Sequence, residues 1–248
     1  MPSVDQLRVE LFADGAELEV IRKMAGNPLI KGFTTNPTLM RKAGVSDYVA
    51  FARDVLRIVT DRPISFEVFS DDFAEMELQA LEIASWGPNV FVKIPITNTR
   101  RESAAPLVSR LSAAGVQLNV TAILTEVQVA EMAAVLSPRT ACFISVFAGR
   151  IADTGRDPLP VIERSLAMLR HLPAARVIWA SPRELLNVFQ ADAVGCHVIT
   201  ATADVLNKLS QVGKDLTTFS LETVEMFRKD ALAAGFTIPL SAAERSHR

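Results

Sequence analysis

Cysteine is scarce in this chain. Only Cys142 and Cys196 occur, far apart and each within an apolar run, which leaves no disulfide framework and reads as two buried free thiols. A reducing, cytoplasmic setting fits that usage. The three histidines, His171, His197 and His247, are scattered. No His, Cys and carboxylate group has metal-ligand spacing, so a metal-dependent mechanism is not expected, with only a carboxylate-bound magnesium left open. Charge of neither sign dominates: 26 basic residues face 28 acidic ones, for a net charge of −2. That balance argues against nucleic acid and against an anionic membrane as partners, while local basic groups remain free to hold a small phosphate. No apolar run is long enough to cross a bilayer, and the segment from Met1 to Gln6 lacks the basic and apolar regions of a signal peptide. There is one tyrosine, Tyr48. No linker rich in proline, glycine or serine divides the chain, so residues 1–248 read as a single domain.

What is present is a regular alternation. Short apolar runs lie at 7–13, 32–35, 64–69, 90–96, 116–122, 141–147, 177–181 and 197–200, and the segments between them carry helical periodicity. Asp71 and Asp72 open one helix, which Trp86-Gly87-Pro88-Asn89 ends; others are expected over 103–114, 125–136 and 160–172. Eight strands spaced one β-α unit apart predict an α/β fold, a single (β/α)8 TIM barrel. Beyond the eighth strand, Leu221, Val224, Phe227, Ala231 and Ala234 predict an additional amphipathic C-terminal helix within about 217–240. It would cover the barrel or pack on another subunit, so a homo-oligomer is one expectation. Residues 241–248 are polar and read as a loose tail.

Against that frame, Lys93 is out of place. It stands inside Val90-Phe91-Val92-Lys93-Ile94-Pro95-Ile96. Desolvation there lowers the pKa of an ammonium and frees an amine for Schiff-base chemistry; an ion pair or a snorkelling side chain would explain it more simply. In a barrel of this kind, functional groups sit at the C-terminal strand ends. Polar residues recur at those ends: Asp14, Thr34 and Asn36, Glu67, Lys93, Asn119 and Thr121, Ser145 and Arg150, then Ser181 and Arg183. Each has an ordinary explanation. Asp14 can cap the next helix, Asn36-Pro37 can be a turn, and Glu67 can be the structural ion-pair partner of Lys93. Arg150 and Arg183 can form surface ion pairs, and Ser181 with Pro182 can begin a helix. Taken together, a lysine, two acids, small polar groups and two arginines at one barrel mouth suit a phosphorylated sugar.

The chain resembles the transaldolase family from strand 1 to strand 8. The resemblance rests on Gly32-Phe33-Thr34-Thr35-Asn36-Pro37-Thr38, Val92-Lys93-Ile94-Pro95-Ile96-Thr97, Leu118-Asn119-Val120-Thr121, Ser145-Val146-Phe147-Ala148-Gly149-Arg150-Ile151 and Ala180-Ser181-Pro182-Arg183. It implies a class I aldolase mechanism without metal or cofactor. Lys93 is then the Schiff-base lysine, Asp14 the carboxylate assisting proton transfer, and Glu67 with Thr121 the holders of a catalytic water. Asn36, Asn119 and Ser145 bind the dihydroxyacetone portion, Thr34 supports Asn36, Phe147 walls the site, and Arg150, Ser181 and Arg183 bind phosphate. The implied reaction transfers a three-carbon unit from a ketose phosphate, fructose 6-phosphate or sedoheptulose 7-phosphate, to an aldose phosphate. The pentose phosphate pathway or the building of a specialised longer sugar would both use it. A related aldolase releasing free dihydroxyacetone is the alternative, and a catalytically silent binding barrel a third. Such aldolases typically carry glutamine and tyrosine where this chain has Glu67 and Phe147, and Tyr48 lies away from these motifs in sequence, so the residues favour the transferase.

Overall fold

A computed structural model describes residues 3–239. They fall into two compact units divided between Leu209 and Ser210. In the first, eight parallel strands close into a barrel in sequence order: β1 (Glu10–Asp14), β2 (Ile30–Thr34), β3 (Ile64–Glu67), β4 (Val90–Pro95), β5 (Leu118–Ile123), β6 (Cys142–Val146), β7 (Ala175–Trp179) and β8 (Val198–Thr202). All eight predicted strands form, with ends shifted by up to three residues.

Helices alternate with the strands: α1 (Leu18–Ala25), α2 (Pro37–Lys42), α3 (Tyr48–Ile58), α4 (Phe73–Ser85), α5 (Ala105–Ala113), α6 (Glu126–Val135), α7 (Ala148–Ala152), α8 (Leu159–Met168), α9 (Leu186–Ala193) and α10 (Ala203–Asn207). Local chemistry starts several of them. Asp72 caps α4 by accepting from the Glu75 N–H at 3.0 Å, as its position among the acids suggests. Thr125 and Gln128 form a capping box on α6. The periodicity does not anticipate that two helices intervene between β2 and β3 and again between β6 and β7. The short extra helices α2 and α7 begin directly at the barrel mouth.

Side chains on a strand alternate between the two faces, so interior positions recur every second residue. One face packs against the helices and forms the main core, where Phe33, Phe66, Ile94 and Trp179 are buried. Inside the barrel lies a smaller apolar floor of Phe12, Phe91, Phe143, Ile178, Ala180 and Val198. Phe143 meets Phe12 edge-on at 5.5 Å and Phe91 at 4.5 Å. Gly32 makes room for this layer, because a Cβ there would stand 2.4 Å from the Phe12 ring. Two residues further along the same strands, the interior positions are Asp14, Lys93, Ser145 and Thr200. The alternation that buries the floor therefore aims a polar layer into the mouth above it. Cys142 and Cys196 are buried, and burial pushes both thiols up to about 12, in keeping with unreactive core residues.

The second unit contains α11 (Leu216–Ala233), capped by Asp215 through the Thr218 N–H at 2.8 Å. Lys214 pairs with Glu222 and lies over the Phe219 ring at 4.5 Å. Its apolar residues Phe219, Val224 and Phe227 are exposed. The expected loose tail at 241–248 lies outside the described residues. Among the described residues, no helix is long and apolar enough to cross a membrane.

Candidate active site

At the C-terminal ends of the strands the barrel opens into a cavity of about 500 Å³. Every site residue predicted from the sequence lines it: Asp14, Thr34, Asn36, Glu67, Lys93, Asn119, Thr121, Ser145, Phe147, Arg150, Ser181 and Arg183. Strand register explains the central row. Glu67 is paired with Lys93 across β3 and β4, and Lys93 with Asn119 across β4 and β5, so three polar side chains stand side by side. Lys93 is 5% exposed. Its Nζ lies 3.0 Å from Glu67 Oε2 and donates to the Thr35 carbonyl at 2.8 Å. The structural ion pair entertained for these residues is thus real, and the contact is direct.

Two hydrogen-bonded chains flank this row. On one side Ser145 Oγ donates to Asn119 Oδ1 at 2.7 Å, and Asn119 Nδ2 donates to Ser65 Oγ at 3.0 Å. On the other, Thr34 Oγ1 donates to Asp14 Oδ1 at 2.8 Å and lies 2.6 Å from Thr200 Oγ1. With Asp14 ionised, the single Thr34 proton is committed to it, so Thr200 is the donor to Thr34. Asn36 has two duties: its Oδ1 caps α2 by accepting from the Leu39 N–H, while its Nδ2 reaches Asp14 Oδ2 at 3.4 Å. The helix-capping explanation for Asp14 fails, since Glu17 occupies the N-cap position of α1.

Burial raises the Asp14 pKa above the usual carboxylate value; the Lys93 charge and the Thr34 and Asn36 hydrogen bonds oppose this, and Glu67 adds to it. A carboxyl raised in the folded state costs stability as pH climbs from its unfolded pKa, about 3.9, through its folded pKa. Asp14→Asn should therefore match the natural protein in urea unfolding at the acid end, gain on it as pH rises through the folded pKa of Asp14, and keep that advantage at pH 8. Activity should fall by about 100-fold or more with the loss of a proton-transfer group. A variant less stable than the parent at pH 8 would contradict this account of Asp14.

Thr121 Oγ1 is buried without a protein hydrogen-bond partner. The register between β5 and β6 shifts after Val120, and Ala122 adopts φ 62°, an unusual conformation for a residue with a Cβ. This irregularity falls where β5 reaches the cavity. Tyr48 is distant from the motifs in sequence but not in space. Its hydroxyl accepts from the Glu67 N–H at 2.8 Å and donates to the Glu67 carbonyl at 3.0 Å. β2 pairs with β3 only at Phe33–Ile64 and Thr34–Ser65, so this phenol satisfies the backbone edge left after the chain turns into α2.

The arginines of the cavity follow β6 and β7, and Lys42 of α2, which the sequence reading missed, also lines it. Arg150 lies 5.7 Å over the Phe147 ring and, among the described residues, has no carboxylate at ion-pair distance. Arg183 forms a surface ion pair with Asp153. Ser181 does not start a helix: α9 begins at Leu186, and Ser181 has φ 60°. The start of α9 is therefore not beside Ser181, and a phosphate there would meet side chains and the strained turn. Ser65, Thr200, Tyr48 and Asp153 escape the sequence reading. Thr200 alone carried a signal, as the interior position two residues beyond Val198. Among the described residues, no three His, Cys, Asp or Glu side chains converge as metal ligands.

The closed parallel barrel with alternating helices makes this a (β/α)8 barrel protein, with a buried lysine in its mouth. More specifically, the chain belongs to the transaldolase/fructose-6-phosphate aldolase family, whose pattern matches residues 11–243. It is 35% identical to a probable transaldolase from Dehalococcoides mccartyi over 82% of this chain and 91% of that protein. A probable transaldolase from Thermoanaerobacter sp. is 34% identical over 93% of this chain and 100% of its own length. The crystal structure of KGPDC from Streptococcus mutans shares the fold, with a TM-score of 0.55 at 12% identity, covering 80% of this chain and 89% of that one.

Proposed function

We propose that this protein is a transaldolase that carries a dihydroxyacetone unit on Lys93 from a ketose phosphate to an aldose phosphate. The observation supporting this reading most strongly is the placement of Lys93 Nζ, 3.0 Å from Glu67, in the same cavity as Asp14 and two arginines. Lys93 passes an ammonium proton to Glu67, and the free amine adds to the ketose carbonyl carbon. The resulting hydroxyl takes up a proton and leaves as water, forming an iminium. Glu67 and the unpartnered Thr121 hydroxyl are suited to hold that water. Asp14 then accepts the proton of the C4 hydroxyl. The C3–C4 electron pair moves into the iminium, an aldose phosphate departs, and a three-carbon enamine remains on Lys93. The enamine carbon attacks the aldehyde of the acceptor, Asp14 returns its proton to the new alkoxide, and hydrolysis frees the product. Burial raises the Asp14 pKa, and a more basic carboxylate is better suited to take and return that proton. Asn36, Asn119 and Ser145 hold the hydroxyls of the three-carbon unit, with Thr34 fixing Asp14 beside Asn36. Arg150, Ser181 and Arg183 take the phosphate.

The chain's one tyrosine commits its hydroxyl to the Glu67 backbone, and Phe147 walls the cavity. The reacting centre thus lacks a phenol, which favours transfer over release of free dihydroxyacetone. The two reactions separate in a coupled assay for glyceraldehyde 3-phosphate from fructose 6-phosphate. Turnover should require erythrose 4-phosphate and fall by about 10-fold or more without it, the expected result if the enamine survives until an acceptor arrives. Equal rates with and without acceptor would replace the transaldolase reading with the aldolase one.

A further inference from the structure

Asp153 lies just beyond α7, outside the cavity, and is used by no step above. Its carboxylate takes one whole side of the Arg183 guanidinium: Nε donates to Oδ1 at 3.0 Å, and Nη2 donates to Oδ2. A guanidinium offers two edges that can bind an oxyanion bidentately. With the Nε–Nη2 edge occupied, the Nη1–Nη2 end is the free edge of a side chain that lines the cavity. Arg183 is about half exposed, with side-chain exposure of 51%, so without an anchor it would sweep many rotamers. Asp153 also follows Arg150 by three residues on the same short helical segment, so it ties the two arginine-bearing loops together.

We propose that Asp153 is a positioning residue for phosphate recognition, holding Arg183 side-on so that its free end meets the dianion of a phosphorylated substrate. This rests on the assignment of Arg183 to the phosphate site. Immobilising one long side chain costs about 0.5–1.5 kcal/mol on binding, so pre-orienting it changes affinity by up to about tenfold.

The test compares Asp153→Asn, Asp153→Glu, Arg183→Ala and the Asp153→Asn/Arg183→Ala pair in the full-length protein. KM and kcat are measured with fructose 6-phosphate and with unphosphorylated fructose, and inorganic phosphate serves as a competing anion. Asp153→Asn should raise KM for fructose 6-phosphate, and the inhibition constant of phosphate, by about the same factor, up to tenfold, with kcat moving less than about twofold. Fructose kinetics should not follow that change. Asp153→Glu should recover part of the loss, and Asp153→Asn should add nothing once Arg183 is alanine. Tighter phosphate binding in Asp153→Asn would make Asp153 a competitor of the anion and overturn the proposal. Unchanged binding, or an equal loss for both sugars, would overturn it as well. In either case Arg183→Ala locates the fault. If that variant still loses discrimination between the sugars, the phosphate assignment stands and only the role of Asp153 falls. If it does not, the assignment itself is wrong.

Discussion

Lys93→Ala should reduce kcat by about 10⁴-fold or more, the scale seen when a covalent nucleophile is removed, while the cavity and its arginines remain. Borohydride added during turnover of fructose 6-phosphate should reduce the iminium and leave a three-carbon adduct on the peptide containing Lys93 in the natural protein, and none in the variant. Absence of any adduct under turnover would sink the covalent mechanism. Fold and chemistry must be separated here, because Lys93 is also half of a buried ion pair and a donor to the Thr35 carbonyl. Removing one partner of such a pair strands the other, and the loss can reach about 3 kcal/mol even where the survivor can protonate. Lys93→Met combined with Glu67→Gln leaves no unpaired charge and should recover much of that stability in urea unfolding. It should recover none of the activity. If the double variant regained turnover, Lys93 would be a structural residue after all.

The second large effect is expected at Gly149. A Cβ at this position would lie 1.6 Å from the carbonyl oxygen of Ser181 and 3.3 Å from Nε of Arg183. The first of these is backbone, so it cannot swing aside as a flexible side chain can. Gly149→Ala must push the start of α7 away from the turn at Ser181, where the backbone is already in the left-handed region. Arg150 leaves from one side of this contact and Arg183 from the other. A displacement near 1 Å in a binding constellation costs about 100-fold in kcat/KM, and overpacking of this kind costs about 1–3 kcal/mol of stability. Steady-state kinetics with fructose 6-phosphate and urea unfolding check both numbers. A Gly149→Ala protein with parental kcat/KM and midpoint would show that the two loops do not need their close approach.

Much of the architecture is legible in the sequence. Strand and helix alternation depends on local periodicity, and period-2 alternation carries Asp14, Lys93 and Ser145 to the interior above Phe12, Phe91 and Phe143. Tertiary structure overruled several local readings. Asp14 looked able to cap α1 and instead faces Thr34 and Asn36, because β1 and β2 are neighbours in the barrel. Ser181 with Pro182 looked like a helix start, yet the chain first makes a strained turn against Gly149. Tyr48 seemed remote, but α3 brings its hydroxyl back to the edge of β3.

By itself the sequence determined the barrel, the strand ends that carry function and the identity of the groups presented there, because those follow from periodicities of a few residues. Only the tertiary structure decided who pairs with whom: Lys93 with Glu67 and the Thr35 carbonyl, Thr200 with Thr34, Arg183 with Asp153. Those contacts join residues from different strands and loops. Their geometry is set by barrel closure and strand register, which no local pattern records.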